Sequence, residues 1–135
     1  GEWGNRAIQG VWETYGNKAG HIFFDVSSIR SFIGTGTVKS AKITLTRRNG
    51  GGYSSATYVY LNGSTCSSAS GTPSYSNNHN IGTLYWGLKK TFTLPISIVN
   101  SIKNGTCNSI ACYSSTYPNA YVEIVAASIT ITVSK

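Results

Sequence analysis

Side chains able to do acid–base or covalent chemistry are few in this 135-residue chain, whose only carboxylates are Glu2, Glu13, Asp25 and Glu123. Hydrolysis by paired carboxylates needs two acids converging across a substrate, and only adjacent strands would bring Glu13 and Asp25 together. Asp25, in Phe24-Asp25-Val26-Ser27-Ser28-Ile29, reads instead as the cap of a turn that follows a strand. Glu123 reads as an outward strand residue beside Tyr121, solvated or paired with a lysine. A nucleophile relay needs Ser, Thr or Cys beside a base. The only histidines are His21 and His79, and no Gly-x-Ser-x-Gly elbow is present. His79, within Asn77-Asn78-His79-Asn80, reads as an exposed loop tip, and His21 opens an apolar strand. Gly50-Gly51-Gly52 precedes strand-like residues rather than a helix, so it lacks the form of a phosphate cradle. The acids are too dispersed for calcium, and Cys66, Cys107 and Cys112 with two distant histidines lack zinc-ligand spacing. Three cysteines cannot all pair. Cys107 and Cys112 either close a small loop or stay apart, with Cys112 as a small buried hydrophobe. The expectation is a protein that is not an enzyme and holds no metal or other cofactor.

What the chain does have is aromatic rings among hydroxyls and amides: nine Tyr, three Trp and four Phe beside 19 Ser and 15 Thr. Sugar rings present apolar C–H faces and hydroxyl rims, so a site for them wants flat rings to stack on and polar groups to bond the rim. If Val59 and Leu61 face a core, Tyr58 and Tyr60 face outward. A hairpin turning near Tyr117-Pro118 would set Tyr113 and Tyr121 opposite each other on its outer face. The expected ligand platform is Tyr58, Tyr60, Tyr113 and Tyr121 beside Lys42, with Trp86, Trp12 and His21 as further candidates. Cross-strand tyrosine pairs also stabilise sheets without binding anything, and Trp12 and Trp86 divide evenly between core and site.

The net charge is +7, which bears on partners rather than on fold. Its cations are scattered, with no run longer than the pairs Arg47-Arg48 and Lys89-Lys90. That dispersion points away from a nucleic-acid groove and toward a merely solubilising surface, while the net charge itself favours an anionic wall polysaccharide if the chain has a polymeric partner. No stretch approaches the roughly eighteen uninterrupted apolar residues of a membrane span, so no membrane insertion is expected. The first residues, Gly1-Glu2-Trp3-Gly4-Asn5-Arg6, lack a signal-peptide layout. A fragment of a longer protein, or exit from the cell by another route, would account for that.

These residues must be positioned by strands. Ser40 to Arg47 sets Ala41, Ile43 and Leu45 against Lys42, Thr44 and Thr46, while Ser128 to Val133 sets Ile129, Ile131 and Val133 against Thr130 and Thr132. Thr57 to Leu61 alternates likewise. Further strands are expected at Ala7 to Tyr15, His21 to Val26, Thr83 to Leu88, Thr91 to Leu94, Ser109 to Tyr113 and Ala120 to Val125. Spacings of three and four at Ile98, Val99 and Ile102, between Pro95 and Gly105, predict one short crossover helix. A further helical turn is expected at Ser27 to Phe32. Arg47 to Ala56 and Asn62 to Asn80 are polar enough to be loops. Residues 1–135 are thus expected to form one all-β domain, an antiparallel β-sandwich of about eight or nine short strands in two packed sheets.

Two stretches together resemble a known pattern. One runs Gly20-His21-Ile22-Phe23-Phe24-Asp25-Val26-Ser27-Ser28-Ile29 and then Val38-Lys39-Ser40-Ala41-Lys42-Ile43-Thr44-Leu45; the other runs from Phe92-Thr93-Leu94-Pro95 through Ile102-Lys103-Asn104-Gly105 to Ile110–Tyr113 and Ala120–Ile124. From Trp12 to Val133 the chain resembles the jelly-roll module called DNRLRE, or a related carbohydrate-binding type, found at the C-termini of tail proteins and lysins of phages of Gram-positive hosts. The acronym motif itself is absent. The resemblance implies that the sandwich is jelly-roll-like, and that the chain is a non-catalytic module that attaches a phage protein to bacterial cell-wall polysaccharide at the host surface. The alternative is a structural or oligomerising tail module without its own ligand.

Overall fold

The computed structural model describes residues 7–11, 17–22, 24–50, 56–65, 75–113 and 122–135. They form β1 (Ala7–Val11), β2 (Asn17–Ile22), α1 (Val26–Ile33), β3 (Thr37–Arg47), β4 (Ala56–Ser64), β5 (Tyr75–Tyr85), β6 (Lys89–Thr93), α2 (Ile96–Lys103), β7 (Ser109–Tyr113) and β8 (Val122–Ser134). The protein is therefore mostly β. Its strands pair antiparallel in the order β5-β4-β7-β2-β1-β8-β3-β6.

Alternation gives the strands one apolar side: β3 buries Ala41, Ile43 and Leu45, β4 buries Val59 and Leu61, and β8 buries Ile129 and Ile131. Each of these valine, leucine and isoleucine side chains contributes about 1.5–3 kcal/mol when removed from water. A flat sheet would leave that side wet, and this one curls until its two edges, β5 and β6, meet. Lys90 Nζ of β6 donates to the Thr83 carbonyl of β5 at 3.1 Å, and Arg47 Nη1 of β3 donates to the Leu84 carbonyl at 2.8 Å. Gly82 of β5 sits so close to β6 that a Cβ there would lie 3.2 Å from the Phe92 ring. Helix α2 touches both β3 and β4, which stand in opposite halves of the strand order, and buries Ile98, Val99 and Ile102 between them.

Both helices end as their sequences require. Asp25 is the N-cap of α1, its carboxylate accepting from Ser28 N at 3.1 Å and Ser28 Oγ at 2.8 Å. Those bonds to the charged form hold its pKa below the usual aspartate value. Past α2, Gly105 takes the left-handed φ of 86° that a side chain would resist. Arg30 of α1 locks the helices together, donating to the carbonyls of Ile102 at 2.8 Å and Cys107 at 3.2 Å.

Three expectations need correction. Ser109–Tyr113 and the strand containing Val122 do not form a hairpin, because the β1–β2 pair stands between β7 and β8. Asn62 to Asn80 is not one long loop: β4 runs on to Ser64 and β5 starts at Tyr75, with Gly63 opposite Ser76 and Leu61 opposite His79. Backbone pairing with β4 holds these polar residues extended despite their weak strand preference. His79 is consequently a half-buried strand residue rather than a loop tip. Finally, the strand expected at His21 to Val26 is β2, which ends at Ile22, and Val26 already belongs to α1.

Candidate functional site

In the β4–β5 pair, Tyr58 lies opposite Thr83 and Ala56 opposite Tyr85. Thr57, Val59, Leu61 and Leu84 are buried, so alternation directs Tyr58, Tyr60, Thr83 and Tyr85 to the outside. Tyr58 and Tyr85 are diagonal neighbours there, a relation that places backbones about 7–8 Å apart. They are 55% and 49% exposed. Directly after Tyr85 the chain turns through Trp86 and Gly87, closed by Leu88 N donating to the Tyr85 carbonyl at 3.2 Å. Gly87 supplies the positive φ of 70° that this turn needs. Trp86 and Leu88 are also exposed, extending the apolar outer surface from the strand pair into the turn. A cation adjoins it, since Gly87 N donates to the backbone carbonyl of the exposed Arg48 at 3.4 Å.

A bulge shapes the other end of this surface. The β4–β5 register shifts between Val59 and Tyr60, so Tyr60 faces Asn80 instead of Ile81. Gly82 absorbs the distortion with a φ of 128°, and Asn80 Oδ1 accepts from Gly82 N at 3.0 Å. Bulges of this kind bend a strand and re-aim the residues beside them.

Several of the expected residues share one region of the sheet. Tyr58 and Tyr60 lie on β4, and continuing the Leu61–Cys112 register by one step sets position 113 of β7 in line with Tyr60. Position 113 in turn pairs with Ala19 of β2, and His21 pairs with Ala111. Thus Tyr58, Tyr60, Tyr113 and His21 occupy three adjacent strands, and Trp86 lies in the turn beyond β5. Lys42 does not join them. It is on β3, between Thr93 and Thr130 and five places from β4 in the strand order. Trp12 and Tyr121 lie outside the described residues. Tyr85, the exposed partner of Tyr58, was not among the expected ligands, although its phase is visible once Leu84 is placed inside.

Arg47 departs further from expectation, for it is a buried cation rather than part of a solubilising surface. From Ala41 onward the odd positions of β3 are its buried face, and position 47 continues them. Desolvation pulls its pKa below the usual guanidinium range. Among the described residues no three His, Cys, Asp or Glu side chains gather into a metal-binding group. Cys107 and Cys112 are free and buried, and burial pushes the Cys112 thiol up to about 12, far from a reactive thiolate. No protein-family model matches the chain, and no curated protein matches it.

Proposed function

We propose that the chain is a non-catalytic glycan-binding module, jelly-roll-like in fold, that attaches a phage tail protein or lysin to the cell wall of its host. The observation that carries this reading is the outward row of Tyr58, Tyr85 and Trp86 on a sheet whose inner side is packed. Rings held on paired strands are presented at little entropic cost, and the C–H faces of sugars stack on them. Asn80 and Thr83 on the same side, with Arg48 at the turn, supply partners for hydroxyl rims and anionic substituents. Binding at one such site is weak, and repeated copies in a parent assembly supply avidity.

The test is binding of the fluorescently tagged domain to intact Gram-positive cells and to walls stripped of secondary polymers. Replacing Tyr58 and Tyr85 by alanine together should weaken cell binding about 10- to 100-fold, on a scale of about 0.5–1.5 kcal/mol per ring contact, with an unchanged melting temperature. Binding that survives the double substitution would remove the aromatic row from the site. Failure to bind any cell panel, with light scattering showing a stable oligomer that the same substitutions dissociate, would favour the oligomerising module.

A further inference from the structure

The outer side of the β8–β3–β6 region carries a different chemistry. Three Thr-x-Thr segments, Thr44-Leu45-Thr46, Thr91-Phe92-Thr93 and Thr130-Ile131-Thr132, lie on these adjacent strands, offset in register, with Leu45, Phe92 and Ile131 inward. Register arranges the outward positions in rows: Thr130, Lys42 and Thr93; then Ser128, Thr44 and Thr91; then Ala126, Thr46 and Lys89. None of these nine positions is acidic or aromatic, and Lys42 and Lys89 are exposed. In the middle row Thr44 Oγ1 and Thr91 Oγ1 are 2.8 Å apart. One hydroxyl donates to the other, which leaves the second O–H free to donate outward. A cleft of about 110 Å³ opens between Thr44, Thr46, Lys89, Ala126, Ala127 and Ser128.

We infer that this hydroxyl-and-lysine face is a second binding site, separate from the aromatic row, for an unbranched polymer of polyol units joined by phosphodiesters. Rows on one side of a strand recur every two residues, about 7 Å. Phosphates linked through a three-carbon polyol are six bonds apart, a reach of about 7 Å by ordinary bond lengths. Successive phosphates therefore fall over Lys42, over the Thr44–Thr91 hydroxyl pair and over Lys89 in its cleft. The free hydroxyls of the polyol meet the flanking Thr93, Thr130 and Ser128. Two ammonium groups with ordered hydroxyl donors and no carboxylate among the nine positions match an evenly spaced polyanion in charge. A nucleic-acid strand shares the phosphates but carries bases that want aromatic platforms, which this face lacks. The inference draws on the wall-module reading only for the source of the polymer; the site stands on the rows themselves.

The probe is purified poly(glycerol phosphate) without sugar substituents, titrated by calorimetry at low and at physiological ionic strength. Lys42→Thr with Lys89→Thr should weaken binding at least about tenfold and flatten the slope of log affinity against log salt by about 1.4. Tyr58→Ala with Tyr85→Ala should leave it unchanged. Equal affinity in the lysine variant, loss in the tyrosine variant, absence of binding at low salt, or equal competition by single-stranded DNA would each overturn the site. Lysine-dependent binding of the probe by a domain that ignores intact cells would uphold the site while removing the wall-module reading.

Discussion

The β4–β5 pair and the β8–β3–β6 triplet are built by the same alternation, yet their outer sides differ in shape as well as chemistry. In the first, the bulge at Val59–Tyr60 breaks the register and the outward residues are large rings. In the second, the five residues from Lys42 to Thr46 pair in unbroken register with both neighbours, and the outward residues are small hydroxyls and two lysines. An irregular surface with rings suits a ligand of discrete shape, whereas an even grid suits one that repeats. The cations divide in the same sense. Arg30, Arg47, Lys90, Lys103 and Lys135 all donate to backbone carbonyls and hold elements together. Lys42 and Lys89 stand outward on the grid. A net charge of +7 thus overstates how much positive surface is offered to a partner.

The largest effect is expected where the two regions are joined. Arg47 belongs to the grid's central strand and reaches across to the Leu84 carbonyl of the aromatic pair. Arg47→Ala removes a fully buried large side chain and deprives that carbonyl of its donor. Loss of the hydrogen bond costs about 1–3 kcal/mol and the cavity a comparable amount. Denaturant unfolding should show a total of about 3 kcal/mol or more, with both binding activities falling together. A variant that lost one activity and kept its stability would mean that the seam does not couple the two sides.

A smaller, one-sided effect is expected from Gly82→Ala. The position combines a φ of 128° with a Cβ site 3.2 Å from Phe92, so alanine is strained twice. A cost of about 1–3 kcal/mol is expected, read as a lower denaturation midpoint. The displaced bulge should change binding at the aromatic row more than at the grid. Equal losses on both sides would show that the strain spreads through Phe92 into β6.

The two regions also differ in how far they could be read from sequence. Alternation at Ala41-Ile43-Leu45 and Ile129-Ile131 made β3 and β8 legible, and the three-and-four spacing of Ile98, Val99 and Ile102 did the same for α2. Segment 75–80 was not legible, because Ser, Asn and His have little strand preference and only pairing with β4 extends them. Strand order was hidden for a related reason. Nothing local to Ser109–Tyr113 says that β1 and β2 insert between it and β8. Lys42 was therefore grouped with tyrosines that the strand order places elsewhere, and the threonine rows went unread although each Thr-x-Thr segment was visible by itself. Arg47 was the one misplacement that phase alone could have prevented.

The smallest structural effect, and the sharpest separation of the two surfaces, is expected from replacing Thr44 and Thr91 together by valine. The shapes are nearly equal and valine prefers strands as threonine does. Removing both members of the 2.8 Å hydroxyl pair leaves no orphaned partner, and such paired replacements are close to neutral. Stability should stay within about 0.5 kcal/mol of the parent. Poly(glycerol phosphate) should nevertheless bind more weakly, because the middle row has lost its outward O–H, while cell binding through the tyrosines is unchanged. The salt slope should also be unchanged, since no charge is removed. Hydroxyl and lysine contributions are thereby told apart: the valine pair lowers affinity at every salt concentration, and the lysine pair lowers it most where salt is low. Unaltered affinity in the valine variant would reduce the grid to two point charges, and the match between row spacing and phosphate spacing would carry no weight.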